Sequence, residues 1–256
     1  MLVAVLAGTA CGGPDEYRPL GGGEFVRMSV YGYSAPFLRD GVEYRAEAEA
    51  HLRDIENTSA FGIRQNEGGE YLPDTFIVES GSEQAPLRCY LWKDSYPEDD
   101  LLASRCRTPF LQAEPGQEVH VWFNEFHGSA IVMPEGPALS SPEQDSELSV
   151  SSGEDLVLSW EPVGKGDEMR WSLQPVDINE PSVCRDDVSW DDAWGYVGDE
   201  GSFVVPSEVL PADLPAGGCQ VSLYLSRGRE GTLDPGIPQG SITGFQLHKV
   251  QMMLKP

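Results

Sequence analysis

Basic side chains are scarce in this chain. Its 256 residues hold 17 Lys and Arg against 42 Asp and Glu, a formal net charge of −25. That balance argues against a nucleic-acid partner, because phosphate binding needs a basic face. An anionic membrane surface should repel the folded part as well. Histidine is rarer still, with 4 residues: His51, His120, His127 and His248. No His-Glu-x-x-His pair occurs. His120 lies on a predicted strand, residues 118–126, and His127 follows its last residue; regular alternation puts the two on opposite sides, which argues against a shared metal. The uncharged apolar run over residues 2–10 is far too short to span a bilayer, which needs about 20 residues. Catalytic signatures are missing in the same way. "GYSAP" at residues 32–36 lacks the final glycine of a nucleophile elbow. The glycines at 21–23 are followed by no Lys-Ser or Lys-Thr pair and make no phosphate loop.

What is present starts at the N-terminus. "LVAVLAGTAC" is small, apolar and uncharged, like the apolar region of a secretory signal ahead of a small-residue cleavage site. Gly8, Thr9, Ala10 and Cys11 resemble the lipobox of bacterial lipoproteins. The resemblance implies cleavage before Cys11 and a lipid on that cysteine. Gly12, standing where an Asp would retain the protein at the inner membrane, implies sorting to the outer membrane. Gly8 occupies a position where that family has Leu, and no Lys or Arg precedes the run. A start codon further upstream is therefore expected. The following "GGPDEYRPLGGGE" is too rich in Gly and Pro to bury apolar surface, and reads as a flexible tether. Residues 1–10 are thus expected to be a truncated signal peptide, and 11–23 a lipidated cysteine with its tether.

The remaining residues read as strands. "EFVRMSVYGY" alternates. In "VEYRAEAEAHL" the Ala and Glu content favours helix, yet Val42, Tyr44, Ala46, Ala48, Ala50 and Leu52 recur at period two, which predicts a half-buried strand. "DTFIVES", "LRCYLWK", "LLASRCR" and "EVHVWFNEF" follow at short intervals with turn residues between them. "MPEGPALSSPEQDSE" has no apolar period and is expected to be a linker. Beyond it come "EDLVLSW", "MRWSLQPV", "GSFVVPS", "CQVSLYLSRG" and "GSITGFQLHKVQMML". Trp160, the "DEGSFVVP" turn and strand, and the late "CQVSLYLSR" resemble an immunoglobulin or fibronectin type III domain, a resemblance covering residues 148–255. Such domains are similar to those of many bacterial lipoproteins; the resemblance implies a fold and no activity. The expected architecture is all-β: two β-sandwich, immunoglobulin-like domains in tandem, at 24–138 and 148–256, joined by a linker at 139–147.

Apart from Cys11, the cysteines are Cys89, Cys106, Cys184 and Cys219. An even number in a secreted chain reads as disulfides, and the domain split selects Cys89–Cys106 and Cys184–Cys219. No pair shows the close spacing of a zinc site. The stretch "CRDDVSWDDAWGYVGDEGS" stands out within the second domain. It reads as a loop between strands, and Trp190, Trp194 and Tyr196 beside many acids make it the candidate ligand-contacting segment, for a protein or a glycan. Asp186, Asp187, Asp191 and Asp192 are a weak candidate calcium site, without the Asp-x-Asp-x-Asp-Gly pattern; no other cofactor is implied. Together these features predict a lipid-anchored envelope or cell-surface protein with a non-catalytic binding, adhesion or structural role. The alternatives are a hydrolase acting on envelope polymers and a passive subunit of an envelope complex.

Overall fold

The alternation of residues 42–52 does fold as a strand. Ala46, Ala48 and Ala50 are fully buried and Arg45 is exposed. A helix would have spread those alanines around its circumference and left no apolar face. The structure, a computed structural model, describes residues 24–39, 41–54, 63–65, 71–73, 76–93, 102–123, 127–150, 155–163, 167–176, 184, 193–211, 214–237 and 239–256. Within these, the side chains of 24–25, 52–54, 63–65, 71–73, 89–93, 102–105 and 127 are left aside.

The strands in chain order are β1 (Glu24–Arg39), β2 (Val42–Asp54), β3 (Ile63–Gln65), β4 (Tyr71–Pro73), β5 (Phe76–Ser80), β6 (Glu83–Pro86), β7 (Arg88–Lys93), β8 (Leu102–Phe110) and β9 (Glu118–Phe123). They continue with β10 (His127–Val132), β11 (Ala138–Ser141), β12 (Ser146–Ser149), β13 (Leu156–Glu161), β14 (Glu168–Pro175), β15 (Trp194–Val197), β16 (Ser202–Val205), β17 (Cys219–Glu230) and β18 (Gly240–Lys255). The fold is all-β, and its sheets pack in the manner of a β-sandwich. A nine-stranded sheet runs β15-β14-β17-β18-β1-β2-β8-β7, with β12 also on β18. Opposite it lie a four-stranded sheet, β10-β9-β5-β6, and a three-stranded sheet, β11-β13-β16.

Two hydrophobic cores fill the spaces between these layers. The first joins Val26, Met28 and Val30 of β1 and the β2 alanines to Phe76, Val121 and Phe123 of the four-stranded sheet. The second joins Met169, Trp171, Leu223 and Leu225 to Leu158, Trp160 and Val205 of the three-stranded sheet. β18 serves both: Ile242 belongs to the first core, and Val250, Met252 and Leu254 to the second. Its first half runs parallel to β1, from Val26↔Gly240 to Tyr33↔Leu247. From Thr243 to Leu254 it is antiparallel to β17. The halves expected to stand in tandem therefore share one sheet, and the C-terminal strand contributes to the first core.

Three local expectations change. The segment expected to be a linker carries β11 and β12, and Met133 within it is fully buried. These strands are short and half-buried, so they leave no apolar period in the sequence. The predicted strand over 118–126 ends at Phe123, and His127 opens β10, which folds back on β9 with His127 opposite Phe123 and Ala130 opposite His120. His120 and His127 thus sit on two strands of a hairpin. Finally, residues 194–197 of the expected loop form β15, paired to β14.

A buried ion pair ties the junction together. Arg227 is in phase with Val221, Leu223 and Leu225 on β17 and takes a core-facing slot. Its guanidinium donates to Asp199 Oδ1 at 2.8 Å, to the Pro162 carbonyl at 2.6 Å and to the Glu135 carbonyl at 2.8 Å. Asp199 also accepts from Trp160 Nε1 at 3.0 Å. Arg227 Nε is buried without a hydrogen-bond partner. Removing a charge from water is costly unless its hydrogen bonds are replaced, and this constellation replaces most of them. Its members come from β13, β17, the chain just after it leaves β10, and the turn between β15 and β16.

Candidate functional site

β18 has a notch along one edge. Its pairing with β1 stops at Leu247 and its pairing with β12 starts at Met252. Between them, β17 lies on one side and no described strand on the other. Two causes open the gap. β1 shifts register against β2 between Gly32 and Phe37, and residues 34–36 pair with neither β2 nor β18. On the far side, Gln144 and Asp145 close the edge at Gln251: Gln251 N donates to Gln144 Oε1 at 2.9 Å, and Asp145 N donates to Gln251 O at 2.8 Å.

A cleft of about 400 Å³ occupies this notch. Tyr33, Phe37, Glu47, Tyr224, Lys249 and Gln251 line it, with Gln144 at its rim. The rings of Tyr33 and Phe37 meet edge to face at 5.2 Å. Lys249 Nζ stands 5.5 Å from the centre of the Tyr224 ring, at the range of a cation–π contact. Tyr33 donates to Glu47 Oε2 over a long 3.5 Å. Burial, and next the negative charge of Glu47, push the Tyr33 phenol well above its ordinary value, so it stays neutral and keeps its proton to donate.

Beside the cleft, the sheet face turned away from the second core extends across β17, β14 and β15. Residues directly opposite in neighbouring strands share a face. One row therefore runs Trp194–Ser172–Tyr224–Lys249, and the next runs Tyr196–Arg170–Ser226–Leu247–Tyr33. At the outer end, Trp194 is 46% exposed and Tyr196 is 59% exposed, their rings edge to face at 5.9 Å. The Arg170 guanidinium carbon lies 4.9 Å from the Trp194 ring centre and 5.9 Å from that of Tyr196. Arg227, Arg229 and Lys255 pair with Asp199, Asp167 and Glu147. Among the described residues, Arg170 and Lys249 instead rest on aromatic rings and have no carboxylate partner. In so acidic a chain, two cations held this way on one face are a distinctive feature.

The sequence candidates divide accordingly. Trp194 and Tyr196 lie together on this face, on a strand rather than in a loop. Trp190, Asp186, Asp187, Asp191, Asp192 and Cys11 lie outside the described residues. Among the described residues, no group of three or more His, Cys, Asp or Glu is placed to hold a metal ion. Cys184 and Cys219 form a disulfide with their Cα atoms 5.7 Å apart. Cys106 is disulfide-bonded and stands opposite Cys89 in the β7–β8 register; the Cys89 side chain lies outside the described residues. Sequence reasoning missed Tyr33, Glu47, Tyr224, Lys249 and Arg170. A signal for three of them was present: alternation puts Arg170, Tyr224 and Lys249 out of phase with the buried residues of β14, β17 and β18. No family model matches the chain, and none of the curated proteins matches it.

Proposed function

We propose that this chain is a non-catalytic binding protein of the bacterial envelope, held to the outer membrane by a lipid on Cys11. Its ligand sits on the notched face of the shared sheet. The observation that carries this reading is the pair of unpaired cations on aromatic faces, Arg170 over Trp194 and Tyr196 and Lys249 over Tyr224, with a cleft beside them. Flat aromatic surface with adaptable polar neighbours suits recognition, because rings bury much area at little entropic cost. The site also lies where the two halves meet, a common place for clefts. The cleft lining includes one carboxylate, Glu47, whereas glycoside hydrolysis ordinarily needs two facing each other.

In this reading the two lobes are immunoglobulin-like sandwiches in tandem that have merged one sheet each into the nine-stranded sheet. A Cys89–Cys106 bridge is part of the same proposal, supported by their cross-strand register and the disulfide state of Cys106. Nucleic acid is no partner, given the net charge of −25. Retention of solubilised envelope material on the immobilised chain tests the reading. Trp194→Ala together with Arg170→Ala should cut retention about tenfold, as expected on losing an aromatic anchor and its cation. Both residues are exposed, so stability should stay within about 0.5 kcal/mol per substitution. Unchanged retention by a folded double variant would remove this face from the account.

A further inference from the structure

Resting on that reading, we infer that the ligand is a neutral glycan chain, with one sugar ring in the notch beside Tyr224 and Lys249 and the chain extending toward Trp194. The cleft carries phenols (Tyr33, Tyr224), carboxamides (Gln144, Gln251), a carboxylate (Glu47) and an ammonium (Lys249). Donors and acceptors are thus both present around an aromatic wall. A pyranose matches that mixture: its rim of hydroxyl groups both donates and accepts, and its C–H face packs on an aromatic ring. The cleft's volume of about 400 Å³ lies at the small end of the ligand-site range of about 300–1,000 Å³.

Length points to a polymer. From Lys249 to Trp194 the row crosses β17 and β14, which is three strand spacings of about 4.8 Å each, or about 14 Å. Trp194 and Tyr196 therefore offer a second stacking platform beyond a single ring's reach. Charge selects the neutral class. The cleft holds one cation and one carboxylate, Lys249 and Glu47, and Arg170 adds one further positive charge beside Trp194; a single excess charge is too little to hold a polyanion against a whole chain at −25. A peptide strand fits less well. The open edge of β18 runs only between Leu247 and Met252, too short for strand addition, and the cleft's apolar lining is interrupted by polar groups.

The test uses the full chain, immobilised, with envelope extract divided into untreated, periodate-oxidised and protease-digested portions. Periodate cleaves the vicinal diols of sugars and spares most of the polypeptide backbone. The inference expects oxidation to cut retention at least about tenfold, protease to leave it unchanged, and the retained glycan to pass an anion exchanger unbound. Tyr224→Ala and Lys249→Ala should each weaken retention about tenfold, and Tyr224→Phe, which keeps the ring, should weaken it less. Loss on proteolysis with survival of oxidation would make the ligand a protein. An acidic retained glycan would overturn the neutral class. Full retention by folded Tyr224→Ala and Lys249→Ala would overturn the cleft as its seat. In each of these cases envelope material is still retained by the wild type, so the binding reading stands; retention of nothing at all would sink both.

Discussion

At the scale of single residues, two buried polar side chains set the chemistry of the junction. Asp199 belongs to an acid-rich stretch, and a run of carboxylates carries no hint of which one turns inward. The structure turns Asp199 inward, its side chain 6% exposed against the fully buried Arg227. Asp199→Ala leaves that guanidinium without its counter-charge and Trp160 Nε1 without its acceptor. The expected cost is about 3–5 kcal/mol by urea denaturation, and a loss below about 1 kcal/mol would contradict the network. His248 makes a pH prediction. Burial lowers its pKa from the ordinary 6.5, partly opposed by a hydrogen bond with the Pro137 backbone. The unfolded chain therefore takes up a proton near pH 6.5 that the folded chain resists. Stability from this residue is present above that pH and declines as pH falls toward the lower folded value. His248→Gln should lose less melting temperature than wild type between about pH 7.5 and about pH 5. An identical loss would show that His248 contributes nothing to the acid response.

At the scale of elements, the strands were largely legible and their partners were not. Period-two alternation marks β2, β13, β14 and β18, since each buries one face. It does not say that β1 and β18, from opposite ends of the chain, run side by side in parallel, because that choice depends on contacts distant in sequence. β11 and β12 escaped notice because short half-buried strands have no apolar stripe, and β15 because its outward residues are Trp194 and Tyr196, with Gly195 between them. The candidate surface was half legible for the same reason. The aromatics of β15 stand out in composition, whereas Arg170, Tyr224 and Lys249 become one site only through register. β18 also makes an energetic prediction. Ile242 is 1% exposed in the first core, on the strand that supplies Val250 and Met252 to the second. Ile242→Ala should cost about 2–5 kcal/mol. Because one strand serves both cores, calorimetry should show a single transition that moves as a whole. Two separable transitions, with only one displaced, would mean that the shared strand does not couple the halves.

At the scale of the whole molecule, the shared sheet offers an outward face that combines a cleft with two cations resting on aromatic rings. The clearest rival among the described residues is the outer side of the three-stranded sheet, where Val157 and Val204 pair across β13 and β16 at 41% and 48% exposure. A passive subunit of a larger complex would bury a patch of that kind. Hydroxyl-radical footprinting of the full chain, free and saturated with envelope extract, reads both surfaces in one experiment. The account predicts that oxidation of Trp194, Tyr196 and Tyr224 falls about tenfold on binding while Val157 and Val204 are unaffected, as a centrally buried aromatic contact requires. Protection of Val157 and Val204, with Trp194, Tyr196 and Tyr224 as reactive as in the free chain, would contradict it.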